Sequence, residues 1–199
     1  MSGFTVKPLK WLPYLTPVEV EEATEEQRAA MQVTPSNSKI SPYVRTLAHD
    51  PESYVARTKL YNLIMYSEGG LAQEYRELAA LAASARNGCV YCASVHARRH
   101  VALSGSSDTV REIYLHGFSG DLGPRERAIA DFSRALAETP VAVTKEQVDA
   151  LVAQGFGRDE LVDLVHSAAI FGWANRLMHT LGHAEAMAPA KTANKGQDK

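Results

Sequence analysis

Cys89 and Cys92 stand in the segment Cys89-Val90-Tyr91-Cys92, directly after the turn pair Asn87-Gly88. At the start of a helix this spacing lets the two sulfurs meet in a small disulfide ring. Free N–H groups and the positive end of the helix dipole favour a thiolate there. The competing reading is two buried thiols acting as small hydrophobes. His96 follows Cys92 by four residues, so the two side chains share a helix face, and an imidazole there can take the thiol proton. Glu77 enters through geometry. On one continuous helix it would lie roughly 18 Å from Cys89. If the chain reverses at Asn87-Gly88 and the flanking helices pack antiparallel, Glu77 and His96 are equally far from the turn and face each other. Glu77 then orients the imidazole as the third member of a nucleophile–base–orienter chain. Its competing reading is a solvated glutamate in the Tyr75-Arg76-Glu77 stretch.

The elements that position these residues are expected to be helices. Ala, Leu, Glu and Arg are frequent and β-branched runs are scarce. No strand pattern is evident, so the fold class is all-α. Residues 1–13 look irregular, with Trp11, Leu12, Tyr14 and Leu15 as a cluster that clamps onto the body. Thr16-Pro17 opens a helix to about Gln32, and residues 34–41 form a loop. Further helices are expected at about 42–49, 51–67, 72–86, 90–104, 108–117, 124–138, 144–154 and 158–181. Tyr54, Leu60, Tyr61, Ile64 and Met65 give the 51–67 helix its apolar face. Gly69-Gly70, Gly88, Gly105, Gly117, Gly155 and Gly182 punctuate the series. The polar tail from Ala188 is expected to be disordered. An echo at an offset near fifty residues, Arg76-Glu77-Leu78-Ala79 against Arg125-Glu126-Arg127-Ala128, suggests two related helical units, about 41–117 and 122–183. Chance likeness between Ala/Leu/Arg-rich helices is the alternative.

Bulk properties narrow the function. Apolar residues are 45% of the 199, which is enough for a sizeable core, and the net charge is −2. With a pI near 6.4 there is no concentrated basic face for a nucleic acid. No secretory signal and no membrane-length apolar run is found. A reducing, cytoplasmic setting follows, where two cysteines are reactive rather than a permanent staple.

These residues resemble a known family. Glu77, Cys89-Val90-Tyr91-Cys92 and His96 look like the active-site motif of the AhpD-like alkylhydroperoxidases, in the carboxymuconolactone decarboxylase superfamily. Leu78-Ala79-Ala80-Leu81-Ala82, Asn87-Gly88-Cys89 and His96-Ala97 fit as well. Phe171-Gly172-Trp173-Ala174-Asn175-Arg176-Leu177 through Leu181-Gly182 looks like the second half of the longer peroxidase-related members. The resemblance covers about 40–182. It implies a homo-oligomer (dimer, trimer or hexamer) of an all-helical, AhpD-like protein. It also implies a thiol-dependent peroxidase with an antioxidant role, needing no cofactor beyond its cysteines. Cys92 attacks a hydroperoxide and becomes a sulfenic acid, and Cys89 condenses with it. His96, oriented by Glu77, moves the proton, and a dithiol or lipoyl-type donor resets the pair. Tyr91 departs from the pattern, since the best-known members carry a histidine there. With a reference pKa near 10, tyrosine donates a hydrogen bond but carries protons poorly at neutral pH. General thiol–disulfide exchange, a non-enzymatic redox switch and a metal site on Cys89, Cys92, His96 and His100 remain as alternatives.

On the last helix Asn175, His179 and His183 follow at four-residue steps. Asn175 is expected to support the pocket. His166, His179, His183 and Arg176 read as packing or solvated positions, and no metal is assigned to them.

Overall fold

The computed structural model describes residues 3–32 and 40–187. Nine α-helices are seen among them: α1 (Glu25–Met31), α2 (Pro42–Leu47), α3 (Pro51–Tyr66), α4 (Gln73–Arg86), α5 (Val90–Ser104), α6 (Asp108–His116), α7 (Pro124–Leu136), α8 (Lys145–Ala153) and α9 (Arg158–Leu181). The all-α expectation holds, and the helices from α2 onward start and stop within a few residues of the expected limits.

The departures lie at the N-terminal end. No helix begins at Thr16-Pro17. The first starts at Glu25, where Thr24 and Gln27 form a reciprocal capping box. The 13-residue run to Pro13 is not wholly irregular either: β1 (Trp11–Pro13) pairs antiparallel with β2 (Gly182–Ala184). Three residues are too few to show a strand period, and their partner lies at the far end of the chain. The clamp is real. Trp11 is buried, and its indole N–H donates to the Met178 carbonyl at 3.2 Å. A Cβ at residue 182 would come within 2.4 Å of the Trp11 ring, so only glycine lets the ribbon close. Much of the loop expected at 34–41, and the tail from Ala188, lie outside the described residues.

α4 is the central element. Its residues Arg76 to Ser84 are all buried, because α5, α9 and α7 each pack on it. The Leu78-Ala79-Ala80-Leu81-Ala82 run therefore reads as an all-round apolar helix rather than an amphipathic one. Truncating Leu78 or Leu81 to alanine would cost about 2–5 kcal/mol. Arg76 is equally enclosed, and its guanidinium gathers the end of α3. It donates to the carbonyls of Ile64 (3.0 Å), Ser67 (3.1 Å) and Gly69 (2.6 Å) and pairs with Asp163 of α9 at 3.2 Å. Asp163 also accepts from the Leu71 amide at 2.9 Å. This one side chain ties α3, α4 and α9 together, and removing it would strand a carboxylate and several carbonyls.

On α3 the apolar face is narrower than expected. Tyr54 and Met65 are buried, but Leu60 is 54% exposed. No described helix is long and apolar enough to cross a membrane.

Candidate active site

The reversal between α4 and α5 is a Schellman motif. Asn87 caps α4, Gly88 takes φ 72°, and the amides of Gly88 and Cys89 return to the carbonyls of Ala85 (3.2 Å) and Ser84 (2.8 Å). Cys89 is also the N-cap of α5, and the amide of Ala93 closes on its carbonyl at 2.9 Å. One residue thus ends one helix and begins the next. Cys92 then falls on the first turn of α5.

The turn brings Glu77 to His96 as the antiparallel reading requires. Both are buried at 2% exposure, and Glu77 Oε2 accepts a hydrogen bond from His96 Nδ1. A carboxylate can only accept, so the ring proton sits on Nδ1 and Nε2 is the nitrogen free to exchange protons. Phe171 packs its ring against the imidazole at 4.4 Å between centroids, nearly perpendicular. Arg99, one turn further along α5, brings a guanidinium to 3.7 Å from Glu77 Oε1 and also donates to the Tyr66 hydroxyl. Arg99 was not anticipated. Its three-residue step from His96 was the available signal.

Both cysteines are reduced and buried. The Cys92 thiol lowers the Cys89 pKa more than any other group. The amides of Cys92 and Tyr91 and the Asn175 side chain add to this, against burial. Cys92 moves the other way, raised by its bond to Cys89 and by full enclosure. The physical cause is a single hydrogen bond between the two sulfurs. It stabilises one negative charge on the pair and resists a second. Cys89 is thereby the more acidic of the two thiols, whereas the sequence favoured Cys92 through its position beside His96.

Asn175 behaves as a support. It is 1% exposed, accepts from Asn87 Nδ2 at 2.9 Å and donates to Ser84 Oγ at 3.3 Å, which fastens α9 onto the turn. Its four-residue companions His179 and His183 are exposed, and His183 lies on β2 rather than on the last helix, which ends at Leu181. His183 stacks on Tyr14 at 5.3 Å. His100 is not part of the cysteine site: its Nδ1 bonds to the Glu74 carbonyl at 2.8 Å. Among the described residues no three His, Cys, Asp or Glu side chains are grouped to hold a metal ion.

The two sulfurs open on different spaces. Cys92 lines a cavity of about 200 Å³ together with His96, Tyr91 and Arg57. Cys89 lines another of about 240 Å³ together with Trp11, His179 and His183. Of the residues named, Tyr91 belongs to both, half-buried between them. Burial raises the pKa of its phenol, so it acts near neutral pH as a neutral hydrogen-bond donor.

Comparison with known proteins bears on the fold that carries this site. Residues 51–135 match the carboxymuconolactone decarboxylase family. Sestrin-2 of Bos taurus is 24% identical over 158 residues, which are 77% of this chain and 32% of Sestrin-2. The chain spans about a third of the length of the curated relatives it matches. Among solved structures, the alkylhydroperoxidase AhpD core of an uncharacterized peroxidase-related protein from Ralstonia eutropha JMP134 superposes with a TM-score of 0.74. It is 24% identical, over 85% of this chain and 90% of that one. The debrominase Bmp8 superposes with a TM-score of 0.71 at 21% identity, over 84% and 89%. At such identities the likeness speaks for the fold, and function rests on the site. The family match covers residues 51–135, less than half of the chain, and the shared architecture gives the chain an AhpD-like helical fold.

Proposed function

We propose that the protein is a thiol-dependent peroxidase that reduces organic hydroperoxides through Cys92 and Cys89. The observation that carries this reading is the shared cavity of Cys92 and His96, with the imidazole held by Glu77 from behind.

The steps balance as follows. Loss of the first proton leaves the pair with one proton and one negative charge. When a hydroperoxide enters, the proton shared between the sulfurs passes to Cys89. Cys92 then attacks the O–O bond as a thiolate, giving a sulfenic acid and an alkoxide. The alkoxide takes a proton through His96 and leaves as the alcohol. Cys89 attacks the Cys92 sulfur and expels hydroxide, which leaves as water, and the disulfide forms. A dithiol donor then attacks Cys89 from the second cavity and frees Cys92 on the His96 side. His179 and His183 line that cavity and supply its proton exchange. Overall, one hydroperoxide and one external dithiol become alcohol, water and an external disulfide.

A second reading, general thiol–disulfide exchange, is favoured by the lowered Cys89 at a cavity of its own. A panel of hydroperoxides and protein disulfides, each with several dithiol donors, separates the two. The peroxidase reading expects catalytic alcohol formation that Cys92→Ser abolishes. Turnover of disulfides alone would replace it with the exchange reading.

Assembly is part of the same proposal. Leu60 and Leu63 on α3 and Val162 and Trp173 on α9 are large apolar side chains left exposed, at 46–67%. A second copy of the chain is proposed to cover them. Light scattering of the purified protein would return at least a dimer mass, and a monomer at micromolar concentration would refute it.

A further inference from the structure

The peroxidase reading accounts for Cys92, Cys89, His96 and Glu77, but not for the rest of the wall around Cys92. Three guanidinium groups, from Arg57, Arg98 and Arg99, line that cavity, and no Asp or Glu does. The charge of Arg99 is answered by Glu77. Arg57 and Arg98 form no ion pair with any described residue. Arg57 lies over the Tyr61 ring, 4.6 Å from its centroid, and is half-buried with its Nε enclosed and unpartnered. Two further wall residues hold buried oxygens with no hydrogen-bond partner, Thr58 through Oγ1 and Tyr43 through its hydroxyl. Thr58 is 1% exposed, so no bulk water answers it. Buried polar atoms are rarely left so, and an unsatisfied cluster in a cavity wall points to an absent partner.

That partner is constrained in three ways. Two unanswered guanidinium groups call for an anion, and their fork geometry suits a carboxylate. The unpartnered donors on α2 and α3 supply hydrogen bonds to the same group. A space of about 200 Å³ falls below the roughly 300–1,000 Å³ of drug-sized sites. Tyr61, Tyr66, Tyr91 and Phe171 give it ring walls.

We propose that the Cys92 cavity is a recognition site for a small organic carboxylate, bound through Arg57 and Arg98 with Tyr43 and Thr58 as further donors. Its reacting group is thereby held at Cys92 and His96. The identity of that reacting group, a hydroperoxide, rests on the function proposed above, but the anion site does not.

The test is a binding measurement that needs no turnover. Reduced full-length protein is titrated with benzoate and, separately, with benzyl alcohol, which has a similar shape but no charge, by calorimetry at low salt. Benzoate should bind about tenfold or more tightly than the alcohol, the scale expected of a charge-assisted pair. Arg57→Gln should remove that margin, Arg57→Lys should keep most of it, and added salt should reduce it. Arg98→Gln, at a half-buried position on a different helix, provides a second reading if Arg57→Gln does not fold. Equal binding of the two probes overturns the proposal. So does benzoate binding that neither glutamine variant weakens. A protein that binds benzoate but reduces no hydroperoxide keeps the anion site and loses the peroxidase reading. One that reduces neutral hydroperoxides and ignores benzoate does the reverse.

Discussion

The two sulfurs of the site sit three residues apart and live in different surroundings. Cys92 is enclosed, shares its cavity with a carboxylate-held imidazole and three guanidinium groups, and is raised in pKa by its neighbour. Cys89 sits on the turn, is lowered by that same neighbour, and shares its cavity with two exposed histidines, His179 of α9 and His183 of β2. The difference suggests a division of labour. In the proposed function the Cys92 side selects and reduces a small substrate, and the Cys89 side exchanges electrons with a larger dithiol donor that stays outside. One hydrogen bond between the sulfurs lets a single negative charge serve both sides in turn.

The sharpest way to break this contrast is to remove each sulfur separately. Cys92→Ser should abolish hydroperoxide turnover. Cys89→Ser should also stop multiple turnover, yet still consume one equivalent of hydroperoxide and leave a sulfenic acid on Cys92 that a dimedone-type trap labels. Symmetric behaviour of the two variants in a trapping experiment would erase the proposed division.

A smaller effect is expected one step back, at Glu77→Gln. The amide can no longer balance an imidazolium, and it frees Arg99 from its carboxylate partner. Turnover should fall by roughly 10²-fold, within the range attributed to a positioned acid–base group. The fall should be in kcat and in the pH profile rather than in thermal stability alone. An unchanged kcat and profile would make Glu77 a packing residue.

The pH dependence of alkylation follows from the sulfur–sulfur bond. In the wild type, iodoacetamide should label one thiol, at Cys89, below the ordinary thiol range. The second should resist until well above it. Cys92→Ala removes the group that does most to lower Cys89. A group that stabilises the anion lowers a pKa, so its loss moves Cys89 labelling to higher pH. The reverse shift, or first labelling at Cys92, would invert the assignment.

The smallest change is expected at Tyr91, which borders both cavities. Tyr91→Phe removes a hydrogen-bond donor without emptying the wall, and turnover should change only several-fold. A loss as large as that of Glu77→Gln would give the phenol a share in proton transfer.

Much of this site is legible in the sequence because it is local. The Asn87-Gly88 turn fixes which residues of α4 and α5 oppose each other, so Glu77 and His96 could be paired from spacing alone. Asn175 was reachable as part of a four-residue series on α9. The ionisation order within the cysteine pair was not legible, since it depends on a bond between two sulfurs and on depth of burial. Nor was the β1–β2 ribbon, whose partners are separated by nearly the whole chain. Arg57 and Thr58 could have been suspected, because with Tyr54 and Tyr61 they mark one face of α3. Their convergence on Cys92, however, is tertiary. Leu60 shows the opposite failure: its period fits a core face, but among the described residues it stays 54% exposed.

The central claim is that this cysteine pair reduces a peroxide bond. Reduced wild-type protein should be mixed anaerobically with one equivalent of cumene hydroperoxide, and the products counted by peptide mass mapping and alcohol quantitation. The account predicts one equivalent of cumyl alcohol and an intramolecular Cys89–Cys92 disulfide. Two free thiols and intact hydroperoxide after prolonged incubation would contradict it.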